Sequence, residues 1–92
     1  MDSATLSFVL RASKRRSILH MLEKEKLAPS QLMKRTGMYE SHVSRALKEL
    51  ESSGLIECEN PKERRFRFYK ITDLGKKVIR KTRKILKEIG RA

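Results

Sequence analysis

The chain has one cysteine, no tryptophan and few aromatic residues, three Phe and two Tyr, among its 92 positions. A lone thiol, Cys58, excludes an internal disulfide and a multi-cysteine metal site, which is typical of a reducing compartment. No apolar run is long enough to cross a bilayer, and we expect no signal peptide before the fold. The sequence therefore predicts a cytoplasmic protein that has no membrane partner.

Residue groupings that support catalysis are also lacking. The sequence shows no Ser/His/Asp or Cys/His arrangement, no glycine-rich phosphate loop and no carboxylate pair near a predicted cleft. His20 and His42 fall in different predicted helices, so neither has a metal-ligating neighbour, and we expect His20 to be half-buried with its hydrogen bonds satisfied. Cys58 is interpreted as a small packing residue, with a redox-sensing thiol as the alternative. We expect no enzyme activity, no cofactor and no metal.

Positive charge is in excess and is unevenly distributed. The formal net charge is +12. Residues 1–60 hold ten Lys/Arg and eight Asp/Glu, a net of +2, whereas residues 61–92 hold thirteen and three, a net of +10. Such a charge favours a polyanionic partner, and nucleic acid is the first candidate because its phosphates are regularly spaced anions.

Hydrophobic periodicity predicts one domain with a thin core. The predicted elements are helices at 1–12 and 14–25, a short strand at 26–28, helices at 30–36 and 40–53, strands at 55–60 and 65–72, and a final helix from 73 to about 89. Asp2 or Ser3, and then Ser13, suit the N-caps of the first two helices.

Punctuating residues support these boundaries. Pro29 suits the first turn of the helix at 30–36. Gly37 and Gly54 supply the left-handed conformation that ends a helix. Thr72 or Asp73 suits the N-cap of the final helix.

Four stretches of the sequence resemble the winged helix-turn-helix transcriptional regulators of bacteria and archaea, close to the MarR and ArsR groups. They are RRSILHMLE, APSQLMKRTGMYESHVSRALKELESSGLIE, RRFRFYKIT and TDLGKK, and they span roughly residues 14–77. The second is similar to the helix-turn-helix, and the last to the Thr-x-x-Gly start of the final helix. The resemblance implies an α+β fold, with a three-helix core, a short strand and a two-stranded wing in residues 1–72. A C-terminal helix at 73–92 would serve dimerisation within the same single domain.

Two features depart from the family pattern. Tyr39 stands where the family usually has a small capping residue before the recognition helix, so either the capping is weaker or Tyr39 contacts something else. The cysteine pair of metal-sensing ArsR proteins is absent, so we do not expect metal sensing by that route.

The helix at 40–53 is interpreted as the recognition helix, which lies in the major groove of DNA. Its apolar stripe, formed by Val43, Leu47 and Leu50, is expected to face the core. Its other face is expected to contact DNA through Glu40, Ser41, His42, Ser44, Arg45 and Lys48.

These side chains differ in what they can recognise. Arg45 is the main candidate for reading a base because its fork matches guanine O6 and N7, with a phosphate contact as the alternative. Ser41, Ser44 and His42 can donate to a base or to a phosphate. Glu40 suits the helix dipole, or it accepts from a cytosine amino group.

Cations outside this helix are expected to contact the DNA backbone. Those of the wing, Lys62, Arg64, Arg65 and Arg67, would straddle phosphates or enter the minor groove, with a solvated charge run as the alternative. Further backbone contacts are expected from Lys34, Arg35, Lys14, Arg15 and Arg16. The last three begin a helix, where cations are electrostatically unfavourable, so an anion is expected beside them.

The final helix carries an apolar stripe whose spacing of four, three and four is typical of a coiled-coil seam. We expect a homodimer whose interface contains Leu6, Val9, Val78, Thr82, Ile85 and Ile89. Packing within one chain is the alternative, and a basic amphipathic helix can also lie on an anionic membrane.

The sequence thus predicts a regulator of transcription that binds double-stranded DNA specifically, as a homodimer on two half-sites. The polar, varied face of residues 40–48 favours this function. The net charge of +10 in residues 61–92 supports the alternative, a non-specific architectural or chromatin protein. A winged helix that binds another protein is a third possibility.

Overall fold

Residues 3–90 are described by a computed structural model, and seven elements follow one another along them. They are α1 (Ser3–Leu10), α2 (Ser13–Leu22), α3 (Pro29–Thr36), α4 (Glu40–Ser52), β1 (Ile56–Cys58), β2 (Tyr69–Ile71) and α5 (Asp73–Gly90). This order confirms the predicted α+β winged-helix fold with its C-terminal helix. The expected cap Asp2, and residues 91–92 of the predicted C-terminal segment, lie outside the described residues.

Several element boundaries differ from those predicted. Ala12 occupies the N-cap position of α2 and no side chain caps that helix, so the expected capping by Ser13 is wrong. The helix ends at Leu22 rather than at residue 25. Both strands are three residues long and therefore much shorter than predicted.

The sheet joins the helix-turn-helix to the wing. β1 and β2 pair antiparallel, with Ile56 opposite Ile71 and Cys58 opposite Tyr69. The predicted short strand is a single bridge, in which the Leu27 N–H donates to the Tyr69 carbonyl at 3.1 Å and the Tyr69 N–H donates to the Leu27 carbonyl at 2.9 Å. Leu27, two residues before α3, is thereby fixed to the root of the wing.

The core is almost wholly aliphatic, because Tyr69 is the only aromatic member of its buried cluster. α4 contributes the predicted stripe of Val43, Leu47 and Leu50, and Ala46 joins them. They pack in one cluster with three buried residues of α2, which are Ile18, Leu19 and Leu22. Burial of these side chains sets the rotation of α4, so its opposite face points to solvent.

The turn between α3 and α4 follows the predicted pattern. Gly37 has a φ of 72°, and its N–H donates to the Met33 carbonyl at 2.9 Å. The Thr36 hydroxyl donates to the Leu32 carbonyl at 2.6 Å and accepts from the Met38 N–H at 3.1 Å. These bonds satisfy groups that the helix end leaves free and fix the direction in which α4 departs.

The start of α5 explains the Thr-x-x-Gly motif. The Thr72 hydroxyl accepts from the Gly75 N–H at 3.1 Å and donates to the Gly54 carbonyl at 2.7 Å. Gly75 lies so close to the loop between α4 and β1 that a Cβ would stand 2.1 Å from the Leu55 carbonyl oxygen. Thr72 is therefore the cap, and Gly75 permits the close approach.

The apolar stripe of α5 divides into two parts. Val78 and Thr82 are fully buried, as is Val9 of α1, and α5 packs against α1 and α2. These three residues were expected at a dimer interface, and that expectation is corrected, because side chains in the core of one protomer cannot face a second. Towards the end of α5 the stripe becomes exposed, and Ile89 is 64% exposed.

Candidate nucleic-acid interface

The outward face of α4 carries the predicted contact residues. Glu40, Ser41, Ser44, Arg45 and Lys48 are exposed, and His42 is half-buried. Among residues 3–90, neither Arg45 nor Lys48 forms an ion pair with an acidic side chain. These two cations are therefore available to an anionic partner.

Shallow hollows flank α4 on both sides. One, of about 340 Å³, is lined by His42 and Arg45 of α4 and by Lys14 of α2. The other, of about 360 Å³, is lined by Ser44 and Lys48 and by Arg67 at the base of the wing, among others. Lys14 on one side and Arg67 on the other thus lie next to the predicted contacts of α4.

Tyr39, which stands before α4 in place of a small capping residue, contacts a neighbouring ring. It occupies the N-cap of α4 without a side-chain capping bond, and its ring is 77% exposed. Its ring meets that of His42 edge to face, with the centroids 6.0 Å apart and an interplanar angle of 71°. Tyr39 thus contacts the His42 ring, and its side chain does not cap the helix.

Two arginines at the start of α2 serve the fold rather than a free surface. The Arg15 guanidinium donates to the Phe8 carbonyl at 2.8 Å, and Arg16 donates to the carbonyl of Leu10 and, at 3.4 Å, to that of Val9. These carbonyls belong to the last turn of α1, which carries negative partial charge and lacks helical donors.

The expectation that Arg15 and Arg16 grip the DNA backbone is therefore corrected. The anion expected beside them is supplied within the chain, by the end of α1 and by the Glu49 carboxylate, to which Arg15 also donates. Lys14 is exposed and remains available.

The two cations that end α3 differ from one another. Arg35 donates to the Glu25 carboxylate at 2.7 Å, and both side chains are about half exposed. Lys34 is exposed and forms no ion pair with any described residue. An exposed pair such as Arg35–Glu25 is weak and can exchange its partner for a phosphate.

The outer wing is held by side chains rather than by a strand ladder. The Asn60 amide donates to the Phe66 carbonyl at 2.6 Å, and its oxygen accepts from the Phe68 N–H at 2.9 Å. Beyond the Glu59 N–H, which donates to the Phe68 carbonyl at 2.8 Å, this carboxamide replaces main-chain pairing, which explains why β1 and β2 are short. Sequence reasoning missed the role of Asn60, although Asn-Pro is a turn-initiating dipeptide.

Arg67 braces the same loop. Its Nε donates to the Glu63 carbonyl at 2.7 Å, and its Nη2 donates to the Pro61 carbonyl at 3.4 Å. Arg67 was predicted as a DNA contact, and its head group is instead engaged within the wing. The cations left without such contacts are Lys62, Arg64 and Arg65, all exposed.

The root and the tip of the wing differ in charge. At its root, the Lys26 ammonium donates to the Glu59 carboxylate at 2.7 Å, and Lys70 lies 3.4 Å from a Glu57 oxygen. The hydrogen bond from Lys26 lowers the pKa of the Glu59 carboxyl below its ordinary value, and the charges of Lys26 and Lys70 add to the effect. The carboxylates at the root are thus paired with lysines, whereas the tip carries positive charge that is unpaired within residues 3–90.

The remaining singled-out residues have structural surroundings. His20 is exposed rather than half-buried as expected, and its Nδ1 lies 3.0 Å from the Arg83 guanidinium, which also contacts Glu23. Cys58 is half-buried and packs against the core. No group of His, Cys, Asp and Glu within residues 3–90 is arranged to hold a metal. No helix in that part of the chain has both the length and the apolar composition needed to cross a membrane.

Known proteins with similar sequences or structures are transcriptional regulators and not enzymes. The HTH-type transcriptional regulator TcaR of Staphylococcus aureus is 30% identical in an alignment of 77 positions, and the match covers 80% of this chain and 51% of TcaR. The chain therefore spans about half the length of the curated relatives that it matches.

Two solved structures share its fold at higher coverage. The transcriptional regulator BldR of Sulfolobus solfataricus has a TM-score of 0.78 and 25% identity, covering 94% of this chain and 63% of BldR. The MarR family transcription regulator SP03579 has a TM-score of 0.75 and 29% identity, and the match covers 97% of this chain and 61% of the SP03579 chain.

The family model described as the HVO_A0261 N-terminal domain matches residues 3–92. That match covers nearly the whole chain, and the fold agrees with the structural neighbours. The chain therefore belongs to the HVO_A0261 N-terminal domain family and has the winged helix-turn-helix fold of MarR-family transcriptional regulators.

Proposed function

We propose that this protein is a transcriptional regulator that binds double-stranded DNA at preferred sites. The observation that carries the proposal is the outward face of α4, whose core-packed side fixes its orientation. That face combines Arg45 and Lys48, which have no acidic partner among the described residues, with the hydroxyls of Ser41 and Ser44. A helix with such a face fits the major groove and offers donors of different kinds to base edges.

The contacts divide by role. Arg45 is proposed to read a guanine, and Ser41, Ser44 and His42 are proposed to donate to neighbouring bases or phosphates. Glu40 lies in the first turn of α4, where its charge favours the helix dipole. Lys48, Lys14 and Lys34 are proposed to contact phosphates of the DNA backbone.

The wing adds electrostatic binding next to α4. Lys62, Arg64 and Arg65 belong to a loop that hydrogen bonds of Asn60 and Arg67 hold in place. The backbone that carries these cations therefore has its shape before DNA binds. Each phosphate neutralised by such a cation releases a counterion, which makes the affinity depend on salt.

A homodimer is proposed through the exposed end of the α5 stripe. Leu86 and Ile89 are 38% and 64% exposed, and Ile85 and Leu6 are half-buried. A second copy would cover these side chains and present a second α4 to the next major groove, about 34 Å away. A protein that binds DNA must reach the DNA inside the cell, so the proposed function is in agreement with the predicted cytoplasmic location.

The test is selection of bound duplexes from random sequence at physiological salt. We expect enrichment of an inverted repeat whose half-sites are about one helical turn apart. Binding of every duplex with equal affinity would refute specific recognition.

The architectural alternative rests on a separate observation about α5. Of its seven Lys and Arg residues between positions 76 and 87, only Arg83 contacts an acidic side chain of the described chain. A steep salt dependence without any preferred sequence would support this alternative.

A further inference from the structure

Phe66 is an apolar side chain in the most basic part of the wing. Its ring is 69% exposed, although the chain has only three Phe residues and a thin core that could use one. Single exposed apolar side chains are common and by themselves carry no meaning. Three further features distinguish Phe66, which are its fixed backbone, the charges of the wing tip and the position of the base of the wing beside α4.

The backbone that carries Phe66 is fixed. The Asn60 amide donates to the Phe66 carbonyl at 2.6 Å, and the neighbouring Phe68 N–H donates to the same Asn60 side chain at 2.9 Å. On the other side, Arg67 donates to the Glu63 carbonyl at 2.7 Å. The ring therefore projects into solvent from an ordered loop, which lowers the entropy cost of inserting it into a partner.

The charges around Phe66 select the kind of partner. Lys62, Arg64 and Arg65 are exposed and form no ion pair with a described residue. The partner must therefore offer several anions around an apolar surface. The minor groove of duplex DNA offers this combination, since phosphates line both edges and sugar and base faces lie between them.

The wing stands beside the recognition helix. Arg67 and Tyr69 at its base line one hollow together with Ser44 and Lys48 of α4. When α4 lies in the major groove, a wing that begins at this hollow extends over the adjoining backbone towards the minor groove.

We propose that Phe66 is an apolar wedge that enters the minor groove between the wing cations and partly unstacks one base step. This inference rests on the proposed function and adds specificity at a step that α4 does not touch. Unstacking costs least at pyrimidine–purine steps, so sites with TA or CA/TG under the wing are preferred.

The experiment compares the full chain with its Phe66→Ala and Phe66→Ser variants, with Arg64→Ala as the matched wing control. The probe is the duplex selected with the wild-type protein, with 2-aminopurine placed at the step under the wing. A hydroxyl-radical footprint that Arg64→Ala weakens locates that step. Affinity is measured at several salt concentrations.

The wild type is expected to raise the 2-aminopurine fluorescence on binding, and both Phe66 variants are expected to leave it unchanged. Their affinity falls by about tenfold with an unaltered salt slope, because no ionic contact is lost. Arg64→Ala lowers the salt slope by about 1 and keeps the fluorescence rise.

The wedge is overturned if either Phe66 variant binds within about twofold of wild type and raises the fluorescence equally. A reduced salt slope in the Phe66 variants also overturns it, since the loss would then lie in the cations. Either outcome for the Phe66 variants leaves the proposed function unaffected, provided that the wild-type protein still selects a preferred site. A wild type that binds no duplex removes both proposals.

Discussion

Arg15 at the start of α2 donates to the carboxylate of Glu49 on α4, across 34 positions of sequence. The guanidinium also lies 3.9 Å from the centre of the Phe8 ring and donates to the Phe8 carbonyl at 2.8 Å. One side chain thereby joins α1, α2 and α4. The orientation of α4 depends on this contact as well as on the apolar core.

A double-mutant cycle on Arg15→Ala and Glu49→Ala should give a coupling free energy of about 0.5–1 kcal/mol in urea unfolding, because both groups are partly shielded from water. Arg15→Ala alone should cost more than Glu49→Ala, since it also loses the Phe8 contacts. The control pair is Arg35→Ala with Glu25→Ala, which is more exposed and should couple less. Equal coupling in the two cycles would contradict this assignment.

Arg45→Ala should weaken binding to the selected site by about 1–3 kcal/mol and binding to random duplexes much less, because a base contact is lost. Arg64→Ala, which removes a phosphate contact, should weaken both by similar factors. Fluorescence anisotropy with the two kinds of duplex measures both. An equal loss on both duplexes for Arg45→Ala would show that Arg45 contacts only the backbone.

Gly75→Ala should destabilise the fold by about 1–3 kcal/mol or more, because its Cβ would collide with the Leu55 carbonyl. Gly90→Ala is the matched control, since a Cβ there has no neighbour within 4 Å. Helix propensity alone favours alanine at both positions, by about 1 kcal/mol in a helix interior. Thermal unfolding should therefore occur at a lower temperature for Gly75→Ala and at nearly the wild-type temperature for Gly90→Ala, which lies at the end of α5, and a stabilised Gly75→Ala would refute the close approach.

Thr72→Ala should cost about 1–2 kcal/mol, because it removes both the cap of α5 and the bond to the Gly54 carbonyl. Thr72→Ser keeps the hydroxyl and should stay close to wild type in urea unfolding. If serine were as destabilising as alanine, the methyl group rather than the hydroxyl would be the stabilising part.

Light scattering at micromolar concentration should give twice the chain mass of 10.8 kDa, and Ile89→Glu should shift the protein towards one chain. Burying a charge in an apolar interface is strongly unfavourable, and Ile89 is exposed within one chain, so the fold should be retained. Lys84→Glu, also exposed on α5, makes a larger charge change and should leave the dimer intact. A wild-type mass of one chain would refute the proposed dimer.

Local signals made the fold predictable. Gly37, with its φ of 72°, and the stripe of Val43, Leu47 and Leu50 act within a few residues of one another, and both the turn and the buried face of α4 follow them. The single bridge at Leu27 was also anticipated, since the segment was too short for a helix and too apolar for a free loop.

Strand lengths were overestimated for a reason that is not local. Alternation of side chains predicted pairing to the tip of the wing. The pairing stops early because the Asn60 side chain takes the Phe66 carbonyl and the Phe68 N–H. A side chain that substitutes for a backbone partner leaves no periodic signal.

By itself, the sequence determined the order of the elements, the inward face of α4 and the excess of positive charge, because periodicity, turn residues and composition act locally. Only the tertiary structure decided which cations are free and which apolar residues are covered. Arg15 and Arg16 meet the end of α1, and Val78 and Thr82 enter the core with Val9. A periodic stripe shows that a face will be buried, but the partner that covers it is set by contacts between residues far apart in the chain.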